Sequence, residues 1–536
     1  MKMRVEGIAF FLQVVAVLPF FVSGHWDDSV HPHFPRKVKK RSTEEKSEED
    51  SADFWIRNAQ EAVKERLLRR ANENIAKNVI LFLGDGMSIP TISAARVYVG
   101  GEEKQLSFDT FPYTGLSKTY CIDHQVADSA CSATAYLGGV KGNYGTIGVT
   151  GNVKRDDCPP MRNSTNHVLS IAHWSQLKGK MTGLVTTARV THASPAGVYA
   201  HTAERDWESD NDVIASNYDP VTCRDIAWQL VHGETGKKLN VVLGGGRANF
   251  LPQNTKDEEG FQGNRVDKTN LIKEWLEQKN QLGAKPTYVW NKEGLLGVDY
   301  NQTDYLLGLF NPDHVSFNLK RDKNKEPSLQ EMTEAAIKVL SQSENGYFLF
   351  VEGARIDMGH HNAQARMALD ETSEFSKAVQ AAIDMTSESD TLIVVTSDHA
   401  HTMSYSGYAH RGNDVLGIAG NADDTIPYTV LNYANGPGYK ASEGRRHDVS
   451  KDDMSNEEYR YPGISPLHME THGGDDVAIF AKGPWAHLFT GVMEENVIPH
   501  LMSYASCVGN GETACDPLEK EWHFSRIMIL VKKNSK

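Results

Sequence analysis

Asn78-Val-Ile-Leu-Phe-Leu-Gly84-Asp85-Gly86 is the stretch on which the fold turns. Its apolar run, Val79–Leu83, is continuous rather than alternating, as expected of a strand covered on both faces. It ends at a carboxylate set between two glycines, where the chain can turn sharply and leave Asp85 exposed to a ligand. The same pattern recurs along the chain. Leu184–Thr187, Val241–Leu243, Tyr347–Val351, Leu392–Thr396 and Val477–Ala481 are short, nearly continuous apolar runs. Helical periodicity lies between them, as in Glu331–Gln342 and Ala363–Met385. Strands alternating with helices predict an α/β fold. The expected form is a three-layer sandwich with a central, mostly parallel sheet and helices on both faces. Between about 405 and 465 apolar runs give way to Gly, Tyr and charges, which predicts a surface insertion. Ile56, Ala59, Val63 and Leu67 form one stripe of a helix beginning at Asp53.

Length and charge narrow the classes. The chain has 536 residues and a formal net charge of −14, with 40% hydrophobic and 24% charged residues. This excludes disorder, collagen and coiled coil as the main architecture. The acidic balance argues against nucleic-acid binding, which needs a basic face. An acidic protein that handles phosphate needs local positive charge from metals or arginines.

The ends and cysteines bear on location. Lys2 and Arg4, the apolar run Ile8–Val22 and the compact Val22-Ser23-Gly24 form a signal-peptide pattern over residues 1–24. A buried helix or a membrane anchor is the alternative, against which stand the brevity of the run and Pro19. Residues 25–52 read as a solvated linker or pro-segment. Their histidines, His25, His31 and His33, are more simply solvated than metal-binding. Residues 53–516 form the expected catalytic domain and 517–536 a tail. The run Ile527–Val531 is too short for a lipid-anchor signal, so the expectation is a secreted chain with no transmembrane segment and no lipid-anchor tail. Six cysteines suit an oxidising compartment. Cys507 with Cys515 and Cys158 with Cys223 are the expected pairs, leaving Cys121 and Cys131 as a third pair or as free thiols. Asn163 and Asn301 head glycosylation triplets.

The groups able to do chemistry gather where strands end. Asp357 and His361 are four apart, so a helix presents both on one face. Asp398-His399 offers two ligand types directly after a strand, and His472 precedes another strand. His401 has no comparable placement and is left out. Asp85, Asp357, Asp398, His361, His399 and His472 together suit two zinc ions. Glu352, the Ser194 hydroxyl and a second oxygen of Asp85 suit magnesium. His192, two residues before Ser194, is better placed to bond a metal-held water than to ligate. Ser129, with small residues after it, reads as a nucleophile at a helix start facing an incoming anion. A plain capping serine is the competing reading. Gly244-Gly245-Gly246-Arg247 reads as a turn rather than a phosphate loop.

These motifs together resemble the alkaline phosphatase family, in its animal branch and with a look similar to insect members. The resembling segments are Asn78–Met87, Ala127-Asp-Ser129-Ala, His192–His201, Phe350–Asp357, Ser397-Asp398-His399 and Glu470-Thr-His472. They occur in the family's order from about residue 53 to 516. The resemblance implies hydrolysis of phosphate monoesters through a phosphoserine at Ser129. It implies one zinc on Asp357, His361 and His472, another on Asp85, Asp398 and His399, and magnesium on Asp85, Ser194 and Glu352. It adds Arg205 as the phosphate clamp, a residue that reads as a surface arginine without it. It also implies a homodimer, with the helix from Asp53 and the 405–465 insertion at its contacts.

Three departures stand out. Met358 replaces a histidine of vertebrate members. Asn311 and Glu326 replace two acidic residues of the vertebrate calcium site, which argues against calcium here. The lipid-anchor tail of many animal relatives is missing. Two other functions compete: a phosphodiesterase or sulfatase-like relative, and a secreted binding or receptor protein with a vestigial site.

Overall fold

The computed structural model describes residues 48–440 and 444–516. The expected signal peptide, most of the linker and the tail after 516 lie outside these residues. The chain divides into two compact units, Met1–Lys64 and Glu65–Lys536. In the first, a turn at Glu48–Asp50 leads into a helix, Ala52–Leu68, within which that unit ends. That helix carries the expected stripe but buries none of its residues.

The second unit is built on a ten-stranded sheet. Its strands are β1 (Asn78–Gly84), β2 (Tyr113–Lys118), β3 (Met181–Arg189), β4 (Val241–Gly245), β5 (Pro286–Val289), β6 (Tyr305–Leu309), β7 (Tyr347–Gly353), β8 (Thr391–Thr396), β9 (Val477–Lys482) and β10 (Gly491–Glu494). Their order is β10-β2-β9-β8-β1-β7-β3-β4-β6-β5. Neighbours run parallel except at β9, which is antiparallel to both β8 and β2. All six apolar runs of the sequence became strands. The four strands they did not announce lie toward the two ends of the sheet, where glycine or proline interrupts the pattern. Gly115 in β2 shows the cause: a Cβ there would stand 2.9 Å from the carbonyl oxygens of Phe489 and Gly491. The glycine that weakens the strand signal is what admits β10.

Successive residues of a strand point to opposite faces, and here both faces are packed. Ile80 and Phe82 of β1 join a core with the helices Leu329–Leu340 and Ala365–Met385. Val79, Leu81 and Leu83 join another with the helices Ser129–Gly138, Leu271–Gln281 and Ile498–Ser506. The three layers follow directly. Leu329–Leu340 starts with a capping box, in which Ser328 Oγ accepts from Glu331 N at 3.2 Å and Glu331 Oε2 accepts from Ser328 N at 2.8 Å.

The 405–465 region holds two small sheets, one pairing Met403–Tyr405, Leu431–Gly436 and Gly463–Pro466, the other pairing Ile418–Asn421 with Pro427–Thr429. Its Leu416, Leu431, Tyr433 and Tyr461 are buried in the same core as β1. It is thus less superficial than its composition suggests. All six cysteines pair: Cys121–Cys131, Cys158–Cys223 and Cys507–Cys515.

Candidate metal centre

Register brings the acids together. Leu83 of β1 lies opposite Glu352 of β7 and Thr396 of β8, and Thr186 of β3 lies opposite Glu352. The carboxyl ends of four adjacent central strands therefore share one edge, where ligands bind in such sheets. Asp85 follows β1, Glu352 ends β7, and Asp398-His399 follows β8; all four side chains are fully buried. After β3 a short helix, Ala193–Ala196, carries buried Ser194. The helix Arg355–His361, just past β7, holds Asp357 and His361 on one face. His472 comes from a two-residue strand paired with Ala400–His401.

Two groups of donors result. In one, atoms of Asp357, His361, His401 and His472 lie within 4.8 Å of one another; in the other, atoms of Asp85, Asp398 and His399 do. They adjoin, since the rings of His399 and His472 stack with centroids 3.5 Å apart. Three of the imidazoles are oriented through Nδ1 by a main-chain carbonyl. His361 donates to Glu470 O at 2.5 Å, His472 to Ala127 O at 2.7 Å and His399 to Ala400 O at 3.4 Å. That tautomer leaves Nε2 as a bare lone pair. The Nε2 atoms of His361 and His472 face each other at 3.1 Å, and each is 3.3 Å from Asp357 Oδ1. Two imidazole lone pairs and a carboxylate oxygen converge there, an arrangement suited to a cation.

The carboxyls make the same point. Asp85 Oδ1, Glu352 Oε1 and Asp398 Oδ2 are buried without a hydrogen-bond partner, although such atoms are normally satisfied. Burial, then the neighbouring Asp398, Asp357 and Glu352, pushes the Asp85 carboxyl well above the usual range. Burial lifts Glu352 to about 8 and Asp398 to about 6. Carboxyls that resist ionising beside one another are what divalent cations stabilise. Ser194 Oγ stands 3.5 Å from Asp85 Oδ2, and Thr186 Oγ1 donates to Glu352 Oε2 at 2.5 Å. Those oxygens form a harder pocket beside the histidine-rich ones. His192 Nδ1 is buried there without a partner, its Nε2 accepting from Arg205 at 3.4 Å.

His401, set aside on sequence, belongs to the centre. It bridges Asp357 Oδ1 at 2.7 Å and Glu470 Oε2 at 2.5 Å. Burial works against its charge, but Glu470 and Asp357 raise it to about 10. It is therefore an imidazolium with both nitrogens donating, and it steadies Asp357. Burial likewise works upward on Asp357, yet His361, His401 and His472 hold it well below the carboxylate range. The missed signal was pairing: the short strand Ala400–His401 sets His401 opposite His472.

Ser129 is the first residue of its helix and is 2% exposed. Asp128, not Ser129, is the cap, accepting from Cys131 N at 3.2 Å. Its other oxygen accepts from Arg205 at 3.0 Å, tying the guanidinium to the residue that precedes Ser129. Ser129 Oγ is 3.2 Å from His399 Nε2.

The sites of the other departures are filled by protein. Arg355 donates to Met358 Sδ at 2.9 Å. Glu326 accepts from Asn311, Ser316 N and Ser316 Oγ at 3.1, 2.8 and 2.9 Å. Gly246, at φ 93°, turns the chain after β4, and Arg247 is buried against Asp257 and Leu309 O, a structural turn as expected. A cavity of about 980 Å³ lies away from this chemistry, in the insertion beside Tyr428 and Arg446.

A sheet edge gathering this many buried, unsatisfied acids and lone pairs around a helix-start serine is that of a metal-dependent hydrolase. The chain belongs to the alkaline phosphatase family, whose model, described as alkaline phosphatase, matches residues 76–508. Members of that family are metal-dependent enzymes that hydrolyse phosphate monoesters. A membrane-bound alkaline phosphatase of Bombyx mori is 46% identical over 502 residues, covering 91% of each chain. The tissue-nonspecific isozyme of Homo sapiens is 44% identical over 483 residues, covering 88% of this chain and 91% of the relative. Among solved structures, alkaline phosphatase from Thermus thermophilus has a TM-score of 0.58 at 21% identity, covering 86% of this chain and 96% of that one. The enzyme from the Antarctic bacterium TAB5 has 0.57 at 21% identity, covering 82% and 100%. Both show the fold alone. Among the described residues no helix is long and apolar enough to cross a membrane, and the disulfides fit an oxidising compartment.

Proposed function

We propose that the chain hydrolyses phosphate monoesters by two successive displacements through a phosphoserine at Ser129. Asp357, His361 and His472 would hold one zinc, Asp85, Asp398 and His399 a second, and Asp85, Ser194 and Glu352 a magnesium. When bound, these cations supply the positive charge that eases serine and leaving-group ionisation and lower the pKa of water at the site. In the first displacement the bond from Ser129 Oγ to phosphorus forms as the ester P–O bond breaks. The departing alkoxide takes up a proton and leaves as alcohol. In the second, water attacks phosphorus and Ser129 Oγ departs, so configuration at phosphorus is retained. Arg205 offers a planar fork of donors to two phosphate oxygens, which lysine cannot copy. His192 orients polar groups beside Ser194.

The observation that carries this reading is Ser129 Oγ at 3.2 Å from His399 Nε2, with the preceding residue, Asp128, holding Arg205 at 3.0 Å. Rapid acid quench with labelled monoester should trap phosphate on Ser129 in the wild type and not in Ser129→Ala, with metal content equal by mass spectrometry. Phosphate trapped in Ser129→Ala would overturn the assignment. Monoester, diester and sulfate ester substrates assayed side by side should rank the monoester first.

Secretion with removal of residues 1–24 and glycosylation of Asn163 and Asn301 belong to the same reading. The three disulfides support it, and both asparagines are exposed. A homodimer is supported by the unburied apolar residues of the helix Ala52–Leu68, with Leu67 70% and Leu68 75% exposed.

A further inference from the structure

The three disulfides do not stand in equivalent places. Cys507–Cys515 follows the helix Ile498–Ser506, and Cys158–Cys223 lies in a small cluster with Trp207. Cys121–Cys131 spans the proposed nucleophile, for Cys131 is the third residue of the helix that Ser129 begins.

The nine residues inside this bridge divide into two parts. Residues 122–125 are exposed, while Ala127, Asp128 and Ser129 are buried in succession. Each of the buried three makes a different contact with the centre. Ala127 O accepts from His472 Nδ1 at 2.7 Å, Asp128 Oδ2 from Arg205 at 3.0 Å, and Ser129 Oγ stands 3.2 Å from His399 Nε2. The segment is also tied to residues 142–145: Asp128 Oδ1 accepts from Gly145 N at 3.1 Å, and the ring of His124 stacks on Tyr144 with centroids 4.5 Å apart. Ile122 N donates to Gly142 O at 3.0 Å, and Asp123 accepts from Tyr144 N at 2.9 Å. Its apolar footing is a cluster whose buried members are Cys121, Ala127 and Cys131. The two bridged cysteines are thus most of that footing.

We propose that the Cys121–Cys131 disulfide is a positioning element for catalysis. It fixes the entry to the Ser129 helix, and so sets the nucleophile and the Asp128-held Arg205 against the metal-binding histidines. The inference rests on the reading of Ser129 as nucleophile. Asp85, Asp357, His361, Asp398 and His399 lie on other segments and only His472 touches this one, through Ala127 O at 2.7 Å, so the bridge governs alignment more than metal capture. Misplacing a reacting group by about 1 Å can cost on the order of 10²-fold in rate.

The test compares two double variants of the full-length, metal-loaded protein, Cys121→Ala/Cys131→Ala and Cys507→Ala/Cys515→Ala. The bridges have sequence separations of 10 and 8, so the closed loops are of similar length and their removal loosens the unfolded chain comparably. Both variants are assayed equally far below their own melting temperatures. The expected result is a tenfold or greater fall in kcat/KM and a weaker inhibition constant for inorganic phosphate in the first variant alone, with zinc content equal in both. Matching kinetics in the two variants would overturn the proposal. Cys121→Val/Cys131→Ala refills the buried volume and should still be slow; recovery of wild-type rates there would show that packing, not the covalent link, matters. Should the variants not fold, timed reduction of the wild-type enzyme gives the same comparison, with mass spectrometry following each bridge. Activity should fall as Cys121–Cys131 opens, and activity that survives its opening refutes the proposal. Wild-type phosphate trapping keeps the two readings apart. Its absence sinks the phosphoserine mechanism, whereas trapping with unchanged variant kinetics sinks only the role of the bridge.

Discussion

Asp128→Asn separates the two tasks of the residue before Ser129. The Oδ1 of Asp128 accepts from Cys131 N at 3.2 Å and Gly145 N at 3.1 Å, and an asparagine oxygen can do the same. The helix start should therefore survive. Oδ2 is different: an amide NH₂ placed there would confront the Arg205 N–H that now donates at 3.0 Å. A hydrogen bond between charged groups is worth about 1.5–3 kcal/mol. Arg205 keeps its main-chain bond to Gly145 O at 2.9 Å and its contact with His192 at 3.4 Å. Only part of its orientation is then lost, about 1.4 kcal/mol, or a tenfold change in affinity. The expected outcome is a roughly tenfold weaker competitive inhibition constant for inorganic phosphate and a raised KM. Zinc content should be unchanged, and the melting temperature should move by only a few degrees. Steady-state inhibition at fixed pH and ionic strength, with metal analysis, reads all of these. A phosphate inhibition constant within twofold of wild type, in a variant of normal melting temperature, would refute the idea that Asp128 aims Arg205.

Arg205→Lys should weaken phosphate inhibition further than Asp128→Asn while sparing zinc; wild-type inhibition in that variant would show that the fork geometry is irrelevant. Chelation should destabilise the protein more as pH rises. Glu352 and Asp398, raised to about 8 and about 6, favour folding when protonated, and that contribution fades as pH climbs from about 4.5 through these values. A melting-temperature gap between metal-loaded and chelated protein that is flat or shrinks from pH 5 to 8 would contradict this. Glu371 is buried and pushed up by that burial to about 7, with Oε1 accepting from Asn318 N at 2.6 Å. Its stabilising effect is present below about pH 4.5 and lost by about 7, so Glu371→Gln should stabilise by about 2–3 kcal/mol at pH 8 and little at pH 5. Denaturant unfolding at the two pH values checks it, and equal effects at both would count against a raised carboxyl.

What could be read from the chain was what burial writes into it. β1, β7 and β8 are covered on both faces, so their runs had to be apolar, and the acids closing them stood out against that background. Asp357 and His361 were legible because helical spacing is local. Arg205 and His401 were not, because what brings them to the centre is a partner far along the chain: Asp128 is 77 residues from Arg205, and Glu470 is 69 from His401. No periodicity encodes such a pairing, and Arg205 came into view only through family resemblance. β2 and β10 escaped for the opposite reason. Near a sheet edge, half-covered strands mix polar and glycine residues, and pairing alone defines them.

The carbonyls that hold His361, His399 and His472 have a consequence for how this centre tolerates change. Glu470, Ala400 and Ala127 each contribute a main-chain oxygen rather than a side chain. No single replacement at those three positions can delete the acceptor, since every residue type carries one. Orientation of the imidazoles is thereby stored in the path of the backbone, out of reach of point substitution. It can drift only if an insertion, a deletion or a strained residue moves the chain itself.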